Sequence, residues 1–315
     1  MLKAAVTTAV GTAVCLALAG PAQSQVQRTF VSTSGADANT ASNCGPTTPC
    51  RSFAAAIGVT KAGGEIVPLT SGGYGAVTIA KSLAITVPPG VYAGVTVSSG
   101  NGITVAAAAT DTIVLKGLTF NGLGTSGALI EATLFGTLHI EHCEVSNSGG
   151  RGIEVNTTAA GNVYVNDTIV RDNGDVGLYF KTTTAPLNVS ADNVRSDGNH
   201  ADAFFVTDGT LATISRSSAS RSANATGFLV LSNSLSAELN CDTCIASNNR
   251  DAGFRAFSLG ATSTMRVTRS TAADNGQYGF WSSNGSSPFE TFGTNVVRGN
   301  ATANTSGMIT NVPSL

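Results

Sequence analysis

Short runs of alternating apolar and polar residues, each opened by a small residue, return along this chain at a nearly constant interval. Gly152-Ile-Glu-Val is followed by Gly177-Leu-Tyr-Phe, Ala203-Phe-Phe-Val, Gly227-Phe-Leu-Val, Gly253-Phe-Arg-Ala and Gly279-Phe-Trp-Ser, at offsets of 25, 26, 24, 26 and 26 residues. Steps of 25 backwards reach Gly127-Ala-Leu-Ile and Gly102-Ile-Thr-Val, and a step of 28 forwards reaches Gly307-Met-Ile-Thr. Alternation with period two belongs to β-strands, and a fixed period of this length without a helical pattern marks a solenoid. One repeat cannot bury its apolar side alone, so neighbours must stack.

Within one repeat, alternation turns Ile153 and Val155 inward and Glu154 outward. The second half offers Val163, Val165 and Val170 to the interior, with a break near Asn166-Asp167, so each rung holds two or three strands. Ile153, Leu178, Phe204, Phe228, Phe254 and Phe280 then form one apolar file. Burying each such side chain is worth about 1.5–3 kcal/mol before entropy is counted. The glycine before each strand is assigned to a turn of unusual φ. Asn173, Asn199, Asn249 and Asn275 stand four residues before it. They predict a ladder of amides bonded from rung to rung, with asparagine also tolerating a left-handed backbone.

The chain opens with Met1-Leu-Lys3, an apolar small-residue run to Ala19, and Ala22-Gln-Ser24, the pattern of a signal peptide cut after Ser24. Nothing resembling a stop-transfer sequence follows, so the mature chain has no expected membrane span and is secreted or periplasmic. Three segments are expected: the signal at 1–24, an entry module at 25–65 and the rungs at 66–315. The entry module holds a strand from Phe30, a loop between Cys44 and Cys50, a helix over Arg51–Ile57 ending before Gly63-Gly64, and a strand at Glu65–Leu69. The helix is the expected cap on the open end of the stack. In an exported chain Cys44 and Cys50 predict a disulfide. Cys241-Asp-Thr-Cys244 lacks the helix N-terminus that a redox motif needs, leaving two inward thiols or a local disulfide. Cys143 falls in a column with Thr168, Ser218 and Ser270 and is read as a stacking residue.

The order of strand, Cys-x5-Cys loop, Pro-Cys-Arg-Ser-Phe-Ala-Ala-Ala helix, Gly-Gly-Glu-Ile-Val strand and rungs resembles exported bacterial proteins of the pectin-lyase-like superfamily. The resemblance covers residues 28 to 310. It implies an all-β fold, a right-handed parallel β-helix of about 25 residues per rung with a short N-terminal capping helix. That architecture hosts lyases, hydrolases, epimerases and adhesins, so it leaves the activity open.

Without Lys3 the chain carries 16 basic and 19 acidic residues, a net charge of −3. This gives no electrostatic footprint for nucleic acid. The outward positions after each glycine are more telling. They read Leu129, Glu154, Tyr179, Phe205, Leu229, Arg255 and Trp281, and the column two residues on reads Asn156, Lys181, Thr207, Leu231, Phe257 and Ser283. A solvated face does not need such an apolar and aromatic strip, and strips of this kind mark contacts. Either it is a binding face, with Glu154, Tyr179, Lys181, Phe205, Arg255, Phe257 and Trp281 as candidate ligand contacts, or a loop or the C-terminal tail covers it.

Glycoside cleavage by paired carboxylates needs two of them close together. Glu154 is the single carboxylate in these two columns, and Arg255 is four rungs, or about 19 Å, away. Asp172, Asp175, Asp197, Asp202, Asp251 and Asp274 fall in turns and read as solvated. His139-Ile-Glu-His142 is split by alternation, so no metal site is assigned. No cofactor is expected, and calcium has no supporting motif. The expected function is thus a non-catalytic, secreted binder of a polysaccharide or cell-surface component. The alternative is a polysaccharide-active lyase, hydrolase or epimerase with its site among turn residues. A structural or adhesive module that buries the strip between subunits keeps an oligomer open.

Overall fold

Residues 153–171 show how the chain coils. Ile153–Thr157, Gly161–Asn166 and Ile169–Arg171 are three short strands. Left-handed backbone at Asp167 (φ 50°) and Asp172 (φ 55°) turns the chain after the second and third. Repetition of this unit gives a computed structural model that is a right-handed parallel β-helix of about nine turns, described for residues 25–184, 186–285 and 287–313. Three strands per rung make three parallel sheets. Sheet A, containing Gly161–Asn166, has 12 strands; sheet B, with Ile169–Arg171, and sheet C, with Ile153–Thr157, have 10 each.

The interior is stacked like on like. Ile153, Leu178, Phe204, Phe228, Phe254 and Phe280 pair in register along sheet C and are all buried. The rings of Phe204, Phe228 and Phe254 lie 4.8 and 4.9 Å apart, nearly parallel. The register departs from even spacing at both ends. Ile130, not Ala128, pairs with Ile153, so Leu129 is a buried residue before the strand and Glu131 takes the outward place beside Glu154. Beyond Trp281 the partner is Ser306, and Gly307 (φ 80°) lies at the corner before Ile309–Val312.

The strand glycines answer to close approach, not to φ. Gly152, Gly177, Gly227, Gly253 and Gly279 all lie outside the left-handed region. A Cβ on Gly227 would sit 2.8 Å from both the Gly253 carbonyl oxygen and the Asn249 amide nitrogen. Gly177 meets Ala203 and Asn199 in the same way, at 2.7 Å each. The asparagine ladder causes half of this crowding. Asn173 Nδ2 donates to Asn199 Oδ1 (2.9 Å), Asn249 to Asn275 (3.0 Å) and Asn275 to Asn300 (2.9 Å). The ladder asparagines also accept backbone N–H groups, so buried donors find partners. Left-handed backbone falls one residue earlier, at Asp172, Asn248 and Asp274. Where alanine replaces the glycine, at Ala203, the ladder position in the next rung is the shorter Ser222.

The helix begins two residues later than expected, at Phe53–Val59, because Ser52 caps it by accepting from the Ala55 N–H. Phe53, Ala56 and Val59 are buried in the same core as Ile66 and Ile79, which closes the first rung. Gly63 and Gly64 lie inside the strand Thr60–Pro68. Cys44 and Cys50 form a disulfide beside Val31. Cys241 and Cys244 are free, buried thiols. Burial pushes the Cys143 thiol up to about 12, in keeping with a packing role, and its column runs through Thr168 and Ser217 rather than Ser218. The expected signal segment lies outside the described residues, among which no helix is long and apolar enough to cross a membrane.

Gly227→Ala should destabilise the fold by about 1–3 kcal/mol in urea unfolding, the range for overpacking. Gly227→Ala combined with Asn249→Ser should lose less than the two single losses added together, because the serine removes one of the two clashes. Full additivity would mean that the ladder and the glycine do not press on each other.

Candidate functional site

The outer face of sheet C gathers the predicted side chains. Glu131, Glu154, Tyr179, Phe205, Leu229, Arg255 and Trp281 are successive partners across the strands. Lys181 pairs with Asn156, and Phe257 with Leu231, in the parallel column. The C-terminal strands Ala303–Ser306 and Ile309–Val312 stack as a further rung instead of folding across the strip. The side chains cover one another. Tyr179 and Leu229 are nearly buried, while Phe205, Arg255, Phe257 and Trp281 are half-buried.

Two groups form on this face. In the first, Arg151 bonds Glu154 at 2.6 Å and Asp175 at 3.3 Å, with its guanidinium 3.8 Å from the centre of the Tyr179 ring. Phe205 meets Tyr179 edge-on at 5.3 Å. Burial raises the Tyr179 hydroxyl pKa, with Arg151 working against it. Glu131 stands one rung away and accepts from Asn101 at 2.7 Å. The face therefore carries two carboxylate residues on neighbouring strands, not one, their backbones about 4.8 Å apart. In the second group, Arg255 lies 3.7 Å from the Trp281 ring centre and 5.0 Å from that of Phe257. It donates to Ser283 (2.8 Å) and approaches Asp251 only to 3.9 Å. Burial lowers its pKa, and Asp251 and Asp202 only partly offset this. Tyr278 packs on Trp281 at 4.9 Å.

Between the groups sits Asp202, in the turn before Ala203. It is not solvated: the residue is 8% exposed, and its carboxyl accepts from the Thr226 N–H at 2.9 Å. Burial pushes its carboxyl up to about 6; the Thr226 bond and Arg255 oppose this, while Asp251 and Asp175 add to it. Asp208 is the contrast. Burial would raise it too, but N–H groups of Asn233, Ser234 and Leu235, with Lys181 at 4.0 Å, hold it below the usual carboxylate range. Asp197 is likewise buried, paired with Arg221 on the sheet B side. His139 and His142 diverge, His139 to Tyr164 and His142 to Asp167. Among the described residues no three His, Cys, Asp or Glu side chains converge to hold a metal.

No protein-family model matches the chain, and neither does any curated protein. Solved structures do. Pectate lyase Pel9A shares 16% identity at a TM-score of 0.63, over 91% of this chain and 80% of its own. A rhamnogalacturonan lyase aligns at 13% identity and TM-score 0.45, over 86% of this chain and 75% of its own. The periplasmic alginate epimerase AlgG aligns at 8% identity and TM-score 0.46, over 80% and 77%. The chain has the pectin-lyase-like fold. At these identities the likeness is one of fold alone, and no residue role passes to this β-helix from its neighbours.

Asp202 makes a pH prediction. Its folded pKa lies above the unfolded one, so the folded state binds the extra proton between about pH 4 and 6, and stability falls as pH rises through that window. Above it the ionised carboxyl costs on the order of 2–3 kcal/mol. Asp202→Asn, which can still accept from Thr226, should thus raise the melting temperature at pH 7.5 and change it little at pH 4. Equal shifts at both pH values would place the group in ordinary solvent contact.

Proposed function

We propose that this protein is an exported enzyme that cleaves a polysaccharide lying along the outer face of sheet C, with Asp202 delivering a proton to the departing glycosidic oxygen. The observation that carries the reading is Asp202 itself, a near-buried carboxyl set between two aromatic and cationic groups. Both hydrolysis and elimination benefit from protonation of the leaving oxygen, and an acid with a pKa near the working pH does this best. Tyr179, Phe205 and Trp281 supply flat apolar surfaces for sugar rings, and Arg151, Lys181 and Arg255 supply donors for their oxygens. The second proton carrier depends on the reaction. In the elimination route Arg255 acts instead as the base: burial favours its neutral form, which takes a proton from a sugar carbon. In hydrolysis, the Glu131–Glu154 pair is placed to activate water. Export is supported by the Cys44–Cys50 disulfide, which persists in oxidising compartments.

A second reading, binding without cleavage, is favoured by Glu154: Arg151 and the ring-stacked geometry around it tie that carboxylate down. The two readings separate in one assay series on pectate, rhamnogalacturonan and alginate, scored for reducing ends and for unsaturated products. Product should form, decline as pH rises above about 6, and fall by a factor of about 10²–10⁴ in Asp202→Asn with substrate binding retained. Trp281→Ala and Phe205→Ala should weaken binding roughly tenfold or more. An unaltered rate in Asp202→Asn would remove it from the chemistry. Binding that depends on Trp281 without product from any substrate would leave recognition as the function.

A further inference from the structure

The geometry points to a second carbohydrate site, on the outer face of sheet A, that takes one neutral pyranose unit. Its platform is Tyr164, a residue 37% exposed whose ring is stacked on His139 at 4.8 Å and 15°. With one side resting on His139 in the preceding rung, the ring turns its other side to a hollow lined by Asn188, Ser190, Leu211, Thr213, Glu238 and Asn240. Ser190 and Thr213 follow Tyr164 in register, and Asn240 and Arg266 follow them. Two rungs of short side chains, Ser190 and Thr213, thus separate the ring from the polar wall at Asn240 and Arg266 and leave room for a sugar ring between them.

The far wall is fixed before any ligand arrives. Arg266 bonds Glu238 and Glu290 at 2.6 Å each and donates to Asn240 at 3.3 Å, while Asn240 donates to Glu238 at 2.8 Å. Two carboxylates against one guanidinium leave this wall with a net negative charge. Arg266 and Asn240 together hold Glu238 below the usual carboxylate range, although burial opposes them. Such a wall accepts hydroxyl protons and repels a uronate, so the ligand class is a neutral sugar. Asn188, which donates to Asn162 at 3.2 Å, also lines the hollow. An aromatic platform with a few fixed polar groups is the ordinary composition of a sugar subsite. The site is on a different sheet from the face discussed above and does not depend on its role.

The test is saturation-transfer NMR and calorimetry on the folded chain with cello-, malto-, laminari- and mannohexaose, beside the hexamers of galacturonate and mannuronate. At least one neutral hexaose should bind, about tenfold more weakly in Tyr164→Ala. Glu238→Gln, which removes the excess charge, should narrow the preference for neutral over uronate hexamers. Melting curves of the Tyr164 and Glu238 variants check that the fold is kept. Absence of binding by all four neutral sugars, binding indifferent to Tyr164, or equal binding of uronates would overturn the assignment.

Discussion

Everything in this molecule depends on parallel strands stacking at about 4.8 Å with their register preserved from rung to rung. Once that holds, a side chain has no freedom to choose its neighbour: it meets the residue one repeat before and one repeat after. Inward positions therefore become files, and a file is stable only if its members pack on their own kind. Phe204, Phe228 and Phe254 do so face to face. The same rule makes a buried amide tolerable, since each ladder asparagine finds the next as its partner. The glycines complete the arrangement by letting the backbones come within reach of those amides. Gly with Asn, and Ala203 with Ser222, are two solutions to one packing problem.

Outward positions inherit the same register without the same demand for likeness, and that is where chemistry can be placed. A column on an outer face is a line of side chains about 4.8 Å apart, close to the scale of a sugar repeat. Unlike residues in it become fixed contacts, as when Arg151 meets Glu154, Asp175 and Tyr179 together. No loop has to fold over to organise them. The side chains are ordered by their neighbours on adjacent rungs, which lowers the entropy still to be lost when a ligand binds.

The interior was legible in the sequence because its period is nearly constant and its residues are apolar at alternate positions. The inward file, the disulfide at Cys44 and Cys50, and the outward column from Glu154 to Trp281 could all be read by counting. Counting failed where a turn changed length. Gly127 imitates a strand glycine, yet the strand begins at Ile130, so Leu129 goes into the core and Glu131 comes to the face. One shifted turn hid a carboxylate and made Glu154 look solitary. Arg151 and Tyr278 were missed for a different reason: Arg151 lies just before its strand and Tyr278 opens its own, at the edge of the alternating pattern, where alternation assigns no side. A signal existed in both cases, a charged or aromatic residue immediately before a strand glycine.

Asp202 was out of reach of any such reading. As sequence it is one turn aspartate among several, with the same composition around it as Asp175 or Asp251. What sets it apart is the Thr226 N–H below it and the surrounding side chains that keep water away. Those neighbours come from other rungs. Asp208, six residues on, is also largely buried and yet is pulled the opposite way, because three backbone N–H groups close around it. Two carboxyls of one rung are thus driven apart in acidity by what the next rung presents to each. In a solenoid, a repeat supplies the residue and its neighbour supplies the environment, so the chemistry of a site is a property of adjacent rungs taken together.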